Sequence, residues 1–294
     1  MKIAIAGATG NIGKRVAQQV SRAGATAVLL GQNLERLKQL HINGSIAEVA
    51  DLSDQKAVVS ATVGVEALLW LVPPIVTGES LSKWYALVTN AGVEAVKKNN
   101  IKRVVVISTL GAGAASNLGT VTFGGRMEVA FDQLQANVVA LRPGYFMENL
   151  LLQASSFQEE DAFRFPFDAN HDIPFISADD IGDAAAKFLL DRSWAGHWKK
   201  NLMGPENITP LQMAERLSIG LNRKISYIQQ SSSELCDEVK SWGVNEVVLR
   251  ELLDLYAALG DPNGAYATPR TPEANTETSL EDFISRKLLL NVIA

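Results

Sequence analysis

Three glycines at a fixed spacing stand at the start of the chain, in Gly7-Ala8-Thr9-Gly10-Asn11-Ile12-Gly13. A glycine at the first position lets the backbone turn sharply. The second lets a phosphate approach the main chain, and the third lets a new helix pack tightly on its strand. Unpaired N–H groups at such a helix start, with the positive end of the helix dipole, make a seat for a dinucleotide pyrophosphate. A tight strand–helix turn with no ligand would satisfy the same spacing, so the context decides. Before it runs the uncharged strand Ile3-Ala4-Ile5-Ala6, and after it a helix with Ile12, Val16 and Val20 on one stripe. The turn is therefore read as a nucleotide site formed by Gly7, Thr9, Gly10, Asn11, Ile12 and Gly13.

The same reading assigns further cofactor contacts to the ends of later strands. Gly31-Gln32-Asn33 stands where an acidic residue would hold a ribose 2′-hydroxyl or an arginine a 2′-phosphate. With no carboxylate at position 32 and Arg36 one turn further on, the phosphorylated cofactor NADP(H) is favoured and NAD(H) stays open. Gln32 would also serve as a plain helix cap. Asp51-Leu52 is expected at the adenine edge, with an N-cap role for Asp51 compatible. Val72-Pro73-Pro74 stiffens a loop beside the middle of the cofactor or simply stops a strand. Ser108 ends the fifth strand, where a reacting group would meet the nicotinamide.

Proton transfer is the harder question. A Tyr-x-x-x-Lys pair would supply a phenol whose pKa a neighbouring ammonium lowers. Tyr85, Tyr145, Tyr227, Tyr256 and Tyr266 are followed four residues later by Thr89, Asn149, Ser231, Gly260 and Arg270, so no tyrosine qualifies. At the expected distance after the fifth strand stand Thr122 and Arg126. Arginine stays protonated and does not titrate near neutrality; Arg126 is a candidate for binding a ribose, a phosphate or a substrate oxygen. Phe123, Tyr145 and Phe146 are candidate substrate contacts, and the Phe163, Phe165 and Phe167 strip would suit either an apolar pocket or core packing. His41, His171 and His197 have no metal-like spacing, and no metal is expected.

The elements that must hold these residues alternate in the rhythm of an α/β, doubly wound parallel sheet. Strands are expected over 3–6, 25–30, 45–50, 67–72, 103–108 and 138–141. Helices fall between them after the glycine turn and at 34–40, 55–63, 81–99 and 125–135. From Phe146 the rhythm breaks into helices over 147–157, 211–221 and 232–259 and one opened by Ser177-Ala178-Asp179-Asp180, a short strand at 163–167, a loop over 260–279 and a last helix over 280–290. This divides the chain into a dinucleotide-binding domain (1–145) and a substrate or partner lobe (146–294) partly interleaved with it. The 294 residues are 47% hydrophobic and 20% charged, enough for a large core. A net charge of −5 without a basic run argues against nucleic acid or an acidic membrane as partner. The single cysteine, Cys236, excludes an internal disulfide and fits a reducing cytoplasm; no apolar stretch reaches membrane-spanning length.

Several segments together resemble the NmrA-like branch of the atypical short-chain dehydrogenase/reductases. They are the 7–13 turn, Asp51-Leu52-Ser53-Asp54, Leu71-Val72-Pro73-Pro74, the run from Leu141 to Asn149, the run from Ile173 to Gly182, and Ser279-Leu280-Glu281-Asp282-Phe283. The resemblance covers nearly the whole chain. It implies a Rossmann domain with a smaller, mainly helical C-terminal substrate lobe and NADP(H) as the usual ligand. The family contains quinone reductases and isoflavone-reductase-like enzymes, and also non-catalytic regulators that read the dinucleotide. Where this chain has Gln32 the family often has arginine, and where it has Arg126 its reductases often carry lysine. The expected activity is NAD(P)H-dependent reduction of a small quinone-like or aromatic carbonyl acceptor, by a chain lacking the Tyr-x-x-x-Lys pair. The alternative is a redox sensor acting through a regulatory protein partner; an epimerase of sugar nucleotides is a third reading, weakened by that missing pair.

Overall fold

Buried aliphatic runs set the architecture. In the computed structural model, which describes residues 1–114 and 116–292, strands β1 (Lys2–Ile5), β2 (Thr26–Gly31), β3 (Ile46–Val49), β4 (Ala67–Trp70), β5 (Arg103–Ile107) and β6 (Asn137–Pro143) pair in parallel. A seventh strand, His197–Leu202, adds to β6, giving the order 197–202, β6, β5, β4, β1, β2, β3. Helices α1 (Asn11–Arg22), α2 (Leu34–Lys38), α3 (Gln55–Ala61), α4 (Leu81–Asn99) and α5 (Thr120–Asp132) make the crossovers. Ile3, Ile5 and Leu29 pack with α1 and the helix Ala178–Leu190 on one face. Ala4, Leu30, Leu68 and Trp70 pack with α3, α4 and α5 on the other. Strands buried on both faces read as continuous apolar runs, which is why β1, β2, β4 and β5 were expected where they lie.

The outer strand 197–202 has no such run. Its sequence His-Trp-Lys-Lys-Asn-Leu is polar, and its first three residues are exposed at the sheet edge. Helix α5 starts at Thr120, five residues before the expected start, because Gly124 and Gly125 are packing positions and not breakers. A Cβ on Gly124 would stand 3.1 Å from Thr109 Cγ2, and one on Gly125 would stand 2.9 Å from the Gly113 nitrogen. The helix expected over 232–259 is two helices, Ser232–Ser241 and Glu246–Gly260. Gly243 with φ of 74° breaks it, and the Asn245 side chain caps the second half. Beyond β6 the lobe gathers Phe157, Phe163, Phe165, Phe167 and Phe175 in one core with short strands at Ala162–Phe165, Ile173–Ile176 and Ser226–Gln229. No helix among the described residues is long and apolar enough to cross a membrane.

Candidate active site

A cavity of about 870 Å³ runs across the C-terminal ends of β1, β2, β4 and β5 and on under the helix Glu246–Gly260. In a doubly wound sheet this is the crevice where ligands sit. Its floor is the glycine turn: Gly7, Thr9, Gly10, Asn11, Ile12 and Gly13 all line it. Gly7 has φ of +62°, a conformation glycine adopts freely. A Cβ on Gly13 would fall 2.3 Å from the Gly7 carbonyl oxygen, so the helix can approach its strand only with glycine there. Helices α2, α3 and α4 begin with side-chain caps from Asn33, Asp54 and Ser80, whereas α1 begins at Gly10 with none. Its first N–H groups thus open on the cavity, as an anion seat requires.

At the end of β2, Gln32, Asn33 and Arg36 line the wall, with Ala50 and Leu52 beside them. The Asn33 side chain accepts from the Arg36 N–H at 3.0 Å. Asp51 does not line the cavity. Its carboxylate accepts from the Ser53 N–H and hydroxyl at 2.8 and 2.7 Å and from the Gln32 amide at 2.9 Å, so it turns away from the space expected for adenine. Val72, Pro73 and Pro74 form the middle wall, held by the Trp84 indole N–H donating to the Pro73 carbonyl at 2.8 Å. Ser108 also lines it, and its buried hydroxyl has no hydrogen-bond partner. A buried hydroxyl is seldom left unpaired, and a polar group of a dinucleotide bound along this crevice would satisfy it.

The far end is built of phenols. Tyr85, Tyr145, Tyr256 and Tyr266 line it, with Leu252, Leu255 and Leu259. Burial pushes Tyr85 up to about 12 and raises Tyr145, Tyr256 and Tyr266 as well. All four keep their protons at neutral pH. Arg36, at the opposite end, is the one charged residue among the described residues lining the cavity.

Two substrate-end candidates stand elsewhere. Phe123 is buried among Leu81, Leu235 and Leu252, with its ring 5.7 Å from that of Tyr85, and does not line the cavity. Arg126 is exposed outside the wall, its guanidinium 5.8 Å from the Phe123 ring centre and 3.5 Å from the Ser82 hydroxyl. The early start of α5 sets this phase. Tyr145 and Phe146 do line the cavity, while Phe163, Phe165 and Phe167 are core, with Tyr145 packed edge-on against Phe165 at 5.4 Å. His171 and His197 bond the carbonyls of Leu259 and Ala136. No group of three or more His, Cys, Asp or Glu among the described residues is arranged to hold a metal.

The roof of the cavity comes from the helix Glu246–Gly260. Leu252, Leu255, Tyr256 and Leu259 recur at helical spacing, a signal that marks a buried stripe but not what it covers. Glu251 fixes that roof. Its carboxylate accepts from the Ser80 hydroxyl at 2.8 Å and from the Leu81 and Ser82 N–H groups at 2.6 and 3.2 Å, closing the start of α4. Replacing Glu251 with Ala leaves those donors unpaired and is expected to cost about 1–3 kcal/mol; a urea denaturation midpoint equal to that of the parent would remove the role.

A family model described as NAD(P)H-binding matches residues 7–155. The chain belongs to this NAD(P)H-binding family. The matched segment carries the glycine turn, the ends of β2, β4 and β5, and Tyr145 and Phe146. Among relatives, an NAD(P)H azoreductase of Xenophilus azovorans is 25% identical over 87% of this chain and 86% of its own length. Quinone oxidoreductase 2 of Escherichia coli strain K12 is 28% identical over 86% of each. The solved structure of an NADPH-dependent quinone oxidoreductase from Escherichia coli with NADPH superposes with a TM-score of 0.75 at 22% identity, covering 98% of this chain and 99% of that one. NmrA, a negative transcriptional regulator solved with NAD, gives 0.74 at 16% identity, covering 99% and 96%. These likenesses establish the doubly wound fold with its C-terminal lobe, and the NmrA-like resemblance in the sequence extends to the three-dimensional structure.

Proposed function

We propose that this protein is an NAD(P)H-dependent reductase of a small, uncharged quinone-like or aromatic acceptor, with NADP(H) favoured. The observation that carries the reading is the continuity of one cavity from the uncapped start of α1 to a chamber of tyrosines with no charged wall. The names of the azoreductase and quinone oxidoreductase relatives support it. Gly10 and the α1 start would seat the pyrophosphate, Arg36 a 2′-phosphate, and Ser108 a polar group near the nicotinamide. The reduced nicotinamide, when bound, supplies a hydride. The chain's own part is to hold the acceptor in a dry apolar slot and to donate phenolic hydrogen bonds to its oxygens. A quinone suits a site without Tyr-x-x-x-Lys, because the charge it gains on reduction is delocalised and water can protonate it. The single Cys236 is in keeping with a cytoplasmic protein.

The decisive experiment mixes the purified protein with NADPH or NADH and a panel of benzoquinones, naphthoquinones and azo compounds, and follows loss of reduced nicotinamide. Acceptor-dependent turnover is expected, faster with NADPH. Tight cofactor binding with no turnover on any acceptor would favour the second reading, a regulator that senses the dinucleotide through a protein partner, which the likeness to NmrA supports.

A further inference from the structure

We propose that Asp51 is a positioning residue for cofactor choice: it fixes which end of the Gln32 amide faces the ribose. The inference rests on the cofactor site described above. A carboxylate accepts hydrogen bonds and donates none. Asp51 Oδ1 is committed to the Ser53 N–H and hydroxyl, and Oδ2 takes the Gln32 Nε2–H at 2.9 Å. The Gln32 NH₂ is thereby turned to Asp51, and its carbonyl oxygen carries no hydrogen bond among the described residues. Gln32 lines the cavity at the end of β2, where the fold brings the 2′ position of the adenosine ribose. An oxygen there accepts from a 2′-hydroxyl and opposes a 2′-phosphate, while Arg36 on the same wall attracts the phosphate. The two groups pull in opposite directions, so the parent protein holds only a modest preference.

Asp51→Asn should invert the amide. The Ser53 N–H still needs an acceptor, so the new side chain keeps its oxygen toward Ser53 and turns its NH₂ on Gln32. Gln32 must then rotate to accept, and its own NH₂ comes round to the ribose. A donor now meets the 2′-phosphate, next to Arg36.

The test measures dissociation constants for NADPH and NADH, by fluorescence of the bound reduced nicotinamide, in the parent, Asp51→Asn, Gln32→Leu and the double variant. The expected result is a shift of the affinity ratio toward NADPH of about tenfold in Asp51→Asn, the scale of one hydrogen bond exchanged. Gln32→Leu alone should move the ratio the same way by roughly threefold, since only the hydroxyl loses a partner. In the Gln32→Leu background, adding Asp51→Asn should change the ratio by less than about twofold. An unmoved ratio in either single variant overturns the proposal. So does a full shift on adding Asp51→Asn to Gln32→Leu, because the carboxylate would then act by its charge and not through the amide. If the parent binds neither cofactor, the site reading itself has failed and the inference goes with it.

Discussion

Gly10→Val should fold like the parent and lose the cofactor. Gly10 has φ of −82° and ψ of 170°, an extended conformation open to any residue, and a Cβ there meets nothing closer than the Gly7 oxygen at 3.4 Å. The added methyl groups have no core to disturb. They stand over the uncapped N–H groups of α1, in the space proposed for the pyrophosphate. The expected loss in NADPH affinity is at least on the order of a hundredfold, ~2.7 kcal/mol, at an unchanged melting temperature. Gly13→Ala makes the useful contrast. Its Cβ would collide with the Gly7 backbone at 2.3 Å, so the seat and the fold should fail together. A Gly10→Val protein that binds NADPH as tightly as its parent would place the dinucleotide somewhere else.

That contrast also shows why the sequence spoke clearly about one half of the site and poorly about the other. The glycine turn, Gln32, Pro73 and Ser108 follow closely on strands whose apolar runs are unmistakable, and the topology alone brings those strand ends to one edge. Short local signals are enough to bring these residues to one cavity. The tyrosine-lined end comes from contacts about 170 residues apart, such as Glu251 closing the start of α4, and no local pattern announces them. Phe123 and Arg126 were placed by their distance from the fifth strand. Distance does not fix helical phase: with α5 beginning at Thr120, Phe123 turns into a buried cluster and Arg126 out to solvent. The polar edge strand 197–202 carries no such signal for a related reason. It gains its place from backbone pairing with β6 and not from side chains that ask to be buried.

Arg142→Met is expected to cost the protein a large share of its stability. Arg142, on β6, meets Glu128 of α5 through two parallel bonds, Nε to Oε1 at 2.8 Å and Nη2 to Oε2 at 2.6 Å. Glu128 is only 2% exposed, so without the guanidinium its carboxylate is stranded in the protein interior. Breaking a buried pair from one side costs about 3–5 kcal/mol, because the remaining charge stays desolvated and uncompensated. The damage should also reach the site. Pro143, Gly144, Tyr145 and Phe146 follow Arg142 directly and form the cavity wall, with the Pro143 carbonyl accepting from the Leu110 N–H at 2.9 Å. A double variant separates the two possible origins of the loss. If the stranded carboxylate is the cause, Arg142→Met combined with Glu128→Met should recover most of the urea midpoint, since two apolar side chains of similar volume replace the pair at little net cost. If the double variant is as unstable as Arg142→Met alone, the guanidinium holds β6 and α5 together by packing, and the charge on Glu128 is incidental.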